Sequence, residues 1–198
     1  MRWVGVTIVI LLTVLGAGTG RAEGEGPMAR TKQVLQRSHE IVVGPGEHKQ
    51  KVRTLNDLLR DFLDTDAMGR EAMGTHLAGR PPAEVRAFLD VFRELFVRTY
   101  VQRLLLFEAP DFAYQGETIT GDRAKVDTEI VTAKDRFGVD YEMRKSGGTW
   151  RATDILVEDA SLGDNFRSQF DAALAKESFD SLMERLRKKV SEPEKPAL

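Results

Sequence analysis

Residues 82–106, PAEVRAFLDVFRELFVRTYVQRLLL, constrain this chain more than any other stretch. Apolar side chains recur at Val85, Phe88, Leu89, Phe92, Leu95, Phe96, Tyr100 and Leu104. That is the i, i+3, i+4, i+7 spacing of one helix face, held for about six turns. Pro81 and Pro82 open it, where the first helical N–H groups lack partners in any case. A face carrying three phenylalanines and a tyrosine is too bulky to leave in water. Whatever covers it is wide and apolar, and is either all protein or partly a ligand.

The N-terminus carries a different signal. Arg2, the apolar run 4–15 and the small-x-small step Gly20-Arg21-Ala22 predict a signal peptide, 1–22, cleaved after Ala22. The alternative is an uncleaved anchor helix, but the apolar core is short for a full span. The chain has no cysteine, so no lipid-modified anchor and no disulfide framework is expected. Removing 1–22 takes Arg2 and Arg21 from the 29 basic residues and none from the 31 acidic ones, leaving 27 against 31, a net of −4. Such a balance carries no nucleic-acid footprint and no polybasic membrane patch.

Taken in order, residues 23–190 predict one domain. Helices fall over 27–43, with Met28, Val34, Leu35, Ser38, Ile41 and Val42 on one side, and over 47–63. Gly44-Pro45-Gly46 separates them. Asp64 and Thr65 start a short third helix through Met73, and Gly74 to Arg80 turns into the long helix, which ends by Ala109-Pro110. The period then changes to two. Strands are expected over 112–119, 123–133, 138–145 and 149–157, with a hairpin at Ser146-Gly147-Gly148. In the fourth, Trp150, Ala152 and Leu156 share one parity while Ile155 and Val157 take the other. This predicts a bulge near Thr153-Asp154 or burial on both faces there. Helices return over 162–175 and 179–190, and 191–198 reads as a flexible tail. The fold class is α+β: N-terminal helices and one long amphipathic helix packed on a curved four-stranded antiparallel sheet, closed by two C-terminal helices.

Chemistry is sparse. No cysteine or G-x-S-x-G step offers a nucleophile, and Gly44-Pro45-Gly46 lacks the Lys-Ser/Thr of a phosphate loop. His39, His48 and His76 have no metal-ligand spacing, and no metal or cofactor is expected. Asp154, Glu158 and Asp159 gather where a strand end meets a helix start; acids favour a helix N-terminus, which weighs against acid–base work. Arg167, between Phe166 and Phe170, reads either as an ion pair with one of those acids or as a contact to a ligand head group. A hydrocarbon-binding box and an ordinary core share one signature, so the residues alone end at an exported α+β domain without a catalytic constellation.

Five blocks in sequence order carry a resemblance: FLDVFRELFVRTY at 88–100, DRAKVDT at 122–128, VDYEMRK at 139–145, GTWRATDI at 148–155 and EDASLGDNFRSQF at 158–170. Together, over roughly Thr31 to Val190, they resemble the MlaC family, also called toluene-tolerance auxiliary proteins. Two steps depart from the family's pattern. Gly74 to Arg80 lacks its usual Gly-x-x-Trp-Arg-like step, and Glu158-Asp159-Ala160-Ser161-Leu162 stands where it usually shows Glu-Gly-Val-Ser-Leu.

The resemblance implies a non-enzymatic periplasmic carrier of phospholipid. Such a carrier serves an outer-membrane lipoprotein complex and an inner-membrane ABC transporter with its periplasmic substrate-binding domain. Tails would sit in a cavity between helices and sheet, with the head group in water. Each exposed CH₂ costs ~0.8 kcal/mol, so bare acyl chains do not cross an aqueous compartment. By face and block, the expected walls are Phe88, Phe92, Leu95, Phe96 and Tyr100 from the long helix. The sheet would add Tyr114, Val126, Ile130, Val139, Tyr141 and Trp150, and Phe166 and Phe170 the closing side. A hopanoid-type polycyclic cargo, a small cone-fold enzyme and an interaction domain without lipid are the alternatives.

Overall fold

The computed structural model describes residues 25–106, 111–132 and 134–192. The expected signal peptide, the break at Ala109-Pro110, the strand end at Ala133 and residues 193–198 of the expected tail lie outside them. Helix α1, Pro27–Val43, begins with proline and a glycine cap that has no side chain to offer. Its N-terminus is served from afar: Met28 N–H donates to Glu117 Oε2 at 2.7 Å, placing a carboxylate at the positive end of the helix. Helix α2, His48–Phe62, buries Leu55, Leu59 and Phe62. At its end Leu63 turns extended and bridges Ala152 in parallel. Asp64 N–H donates to Ala152 O at 2.8 Å, and Arg151 Nη2 donates to Arg60 O and Leu63 O, both at 2.8 Å. The two arginine bonds satisfy carbonyls the end of the helix leaves open. Helix α3, Thr65–Met73, is capped by Asp64, which accepts from Ala67 N–H at 3.0 Å. A 3₁₀ turn, Gly74–Leu77, leads to α4, Pro82–Leu106.

Helix α4 differs from its sequence reading in two ways. Val97 and Val101, outside the expected stripe, are 0% and 1% exposed, beside Phe88, Leu89, Phe92 and Phe96. Buried positions therefore spread over more than one side of the helix, while Arg86, Asp90, Thr99 and Arg103 stay exposed. Its closest backbone neighbours are α3, α6 and α2, whereas α1, α2, α3 and α5 approach the sheet. Gly69 of α3 is what permits the α3–α4 approach: a Cβ there would stand 2.9 Å from Leu89 Cδ2 and from Phe92 Cδ1.

The sheet runs β1, Asp111–Thr120; β2, Arg123–Val131; β3, Arg136–Ser146; β4, Thr149–Val157; and β5, Ala160–Ser161, all antiparallel neighbours in that order. It has five strands instead of the expected four; the fifth, two residues long, is too short to show a period. Across β3 and β4, Glu142 pairs with Asp154 and Met143 with Ala152, so Thr153 is the extra residue of a bulge. The bulge carries burial from Trp150 and Ala152 over to Ile155. A second register shift, at Gln115 in β1, leaves no comparable trace in the sequence. Gly147 and Gly148, at φ 59° and 88°, make the β3–β4 turn. The β4–β5 turn puts Glu158 and Asp159 in the same left-handed region, at φ 50° and 62°. On the outer face Lys125 is held by Asp127 at 2.8 Å and Asp140 at 2.7 Å, which raises its pKa.

Helices α5, Leu162–Leu174, and α6, Phe179–Ser191, each begin on a serine cap: Ser161 accepts from Asp164 N–H and Ser178 from Ser181 N–H. Among the described residues no helix is long and apolar enough to cross a membrane.

Candidate functional site

Seven aromatic rings gather where α4, α5 and α6 meet. Phe92 is their hub, with ring centroids 5.9 Å from Phe88, 5.6 Å from Phe96, 5.4 Å from Phe166 and 6.3 Å from Phe170. Tyr100 lies 4.5 Å from Phe96, and Phe179 lies 6.5 Å from Phe88. The rings do not fill the space between the three helices. A cleft of about 570 Å³ opens beside them, walled by Phe92, Leu95 and Phe96 of α4, Phe166, Phe170 and Ala173 of α5, and Leu182 and Leu186 of α6. This volume lies in the range of small-molecule sites, roughly 300–1,000 Å³. The wall is apolar and the rim polar: Thr99, Gln169, Lys176, Glu177, Arg185 and Lys189 ring the opening.

Of the expected wall residues, Phe92, Leu95, Phe96, Phe166 and Phe170 border this cleft together. Phe88, fully buried, stands behind them. Tyr100 ends the ring stack; burial pushes its phenol up to about 12, against a smaller opposite pull from Arg103. The sheet residues are placed elsewhere. Val126, Val139, Tyr141 and Trp150 are buried in the core, and Ile130 packs half-buried against it. Tyr141 meets Phe62 edge-on at 5.5 Å, and burial raises its pKa. Tyr114 borders a separate groove with His39 of α1, under Lys32 Nζ at 4.9 Å, and burial raises its phenol as well.

The polar candidates turn out to hold the fold together. Asp154 Oδ1 accepts from Gly163 N–H at 3.0 Å and Oδ2 from Ser161 Oγ at 2.5 Å, anchoring the start of α5 on β4. Glu158 accepts from Gly138 N–H. Arg167 has an ion-pair partner the sequence reading did not name: its guanidinium binds the Glu71 carboxylate and donates to Glu71 O at 2.8 Å, docking α5 on α3 instead of on the sheet. His76 bonds Asp171 Oδ1 at 2.6 Å, and His48 is exposed. Among the described residues no cluster of three His, Asp or Glu side chains could hold a metal. The α6 wall is what sequence reasoning missed. Leu182 and Leu186 at i, i+4 with Arg185 and Lys189 beside them were visible, but two leucines on a short helix do not reveal what they face.

Known proteins share sequence and fold with this chain. The "Toluene tolerance protein ttg2D" of Pseudomonas putida is 24% identical over 134 residues, 64% of this chain and 60% of that relative's length. The structure of a phospholipid-binding protein from Ralstonia solanacearum, in complex with a phospholipid, superposes with a TM-score of 0.72 at 20% identity, covering 83% of this chain and 98% of the other. At that identity the likeness is one of fold. The model of the MlaC protein family matches residues 29–188, nearly all of the described chain, and the chain belongs to that family.

Proposed function

We propose that this protein is a periplasmic phospholipid carrier that shelters acyl chain in the cleft between α4, α5 and α6. It would receive and deliver its cargo at an outer-membrane lipoprotein complex and an inner-membrane ABC transporter with its periplasmic substrate-binding domain. The observation that carries the reading is the apolar cleft of about 570 Å³, open at one side and walled by phenylalanine and leucine. Family membership and the phospholipid held by the Ralstonia fold neighbour support it. The location rests on the signal peptide expected over 1–22.

At ~30 Å³ for a unit the size of a methylene or a water, the cleft holds ~19 such units, about one long acyl chain. Binding of this kind needs hydrophobic surface and little polar recognition. The test is to purify the mature chain, extract it with organic solvent and identify the lipid by mass spectrometry. Near one phospholipid per protein is expected. Extracts free of lipid across several purification conditions would overturn the reading, and a polycyclic lipid in them would change the cargo.

A further inference from the structure

The α6 side of the cleft is divided. Leu182 and Leu186 face inward, while Arg185 and Lys189, one turn apart, stand exposed at the rim. Lys176 joins them from the connection between α5 and α6. Against these three cations the cleft presents a single carboxylate, Glu177. Arg185 Nη2 donates to Glu177 Oε1 at 2.5 Å and Ser181 Oγ to Oε2 at 3.0 Å. The Arg185 contact holds the Glu177 carboxyl below its usual range. Lys176 and Lys189 have no ion-pair partner among the described residues. Two positive charges are thus left over at the mouth of an apolar cavity.

We infer that this rim seats the phosphate of a net-anionic glycerophospholipid, selecting such a lipid over a zwitterionic or uncharged one with the same tails. The inference rests on the carrier reading. A chain lying along Phe92 and Phe96 brings its head group out among Lys176, Arg185 and Lys189. There an ammonium donates to a phosphate oxygen, and the Arg185 guanidinium can exchange the Glu177 carboxylate for phosphate. A phosphocholine head sets a fixed cation among three others. A polycyclic hydrocarbon leaves both lysines unused.

The experiment incubates the full mature chain with vesicles of dioleoyl-phosphatidylglycerol mixed equally with dioleoyl-phosphatidylcholine, reisolates the protein and counts each lipid by mass spectrometry. Because these contacts are solvent-exposed, a preference for phosphatidylglycerol of roughly three- to tenfold is expected, shrinking as salt is raised. The paired substitutions Lys176→Gln and Lys189→Gln bring the ratio to near one while the melting temperature stays close to the parent. Glu177→Gln, which removes the competing carboxylate, raises the preference. Glycerol phosphate without tails does not displace bound lipid. Equal loading of the two lipids by the parent, or an unchanged ratio in the double variant, overturns the head-group inference and leaves the carrier reading standing. Binding of neither lipid overturns both.

Discussion

Replacing Leu95 by aspartate separates a tail-binding wall from an ordinary core. Phe92 and Tyr141 serve badly for this purpose, since they are 3% and 6% exposed. A carboxylate buried there without a partner costs several kcal/mol, against a total stability of about 5–15 kcal/mol. Leu95 borders the same cleft but is only half-buried. Losing about half of a 1.5–3 kcal/mol burial term, plus ~0.5 kcal/mol of helix propensity, comes to roughly 1.3–2 kcal/mol. The fold should survive, with a melting temperature lowered by roughly 3–8 °C. The cargo suffers more. A carboxylate in the wall denies cover to about three or four methylenes at ~0.8 kcal/mol each, close to 3 kcal/mol, or about a hundredfold in affinity. The assay is lipid phosphorus per folded protein, read beside the thermal melt. Leu55→Ala is the control: Leu55 is 0% exposed on α2 and does not border the cleft. It should lose about 2–5 kcal/mol of stability while lipid per folded molecule stays constant. Parent-level lipid in Leu95→Asp would refute the assignment of this cleft, and so would lipid lost only in step with folding in both variants.

Two further outcomes follow from the backbone and the tyrosines. Asp159 sits at φ 62°, a conformation that costs an L-residue about 1 kcal/mol, so Asp159→Gly should raise stability by ~0.5–1 kcal/mol. A higher urea midpoint with an unchanged slope is expected, and a lower midpoint would contradict the strain. All three tyrosines have raised pKa values, chiefly through burial. The folded state therefore holds their protons more tightly than the unfolded state, where tyrosine titrates near 10. Their contribution is complete below about pH 10 and is lost as pH rises through the folded values. For Tyr100, at about 12, that amounts to roughly 3 kcal/mol. Absorbance titration should find the phenols ionising above pH 10 together with unfolding; a reversible midpoint at 10 in intact protein would rule this out.

Much of the fold can be read from the chain because its signals are local. Helix α1 keeps its expected bounds, Pro27–Val43, since Pro27 starts it and Gly44 stops it. The bulge at Thr153 announces itself because an inserted residue reverses parity, moving burial from Ala152 to Ile155. The bulge at Gln115 does not, for much of β1 is exposed and has no parity to break. The candidate site is harder to read. Phe92 and Tyr141 carry the same apolar signal, but one borders a cleft and the other fills a core. Nothing in the order of residues says which neighbour is missing. Arg167 illustrates the same limit: its partner, Glu71, is 96 residues away.

Helix α6 buries Phe179, Leu182, Met183 and Leu186, and two arginines pin its ends. Arg80, just before α4, lies 3.7 Å over the ring of Phe179 at one end, and Arg98, midway along α4, donates to Val190 O and Glu192 O, both at 2.7 Å, at the other. Both arginines are half-buried, and Phe179 beneath Arg80 belongs to the core. The cleft is thus framed by a flank pinned at both ends, while the wall on α4 is keyed to Gly69 behind it.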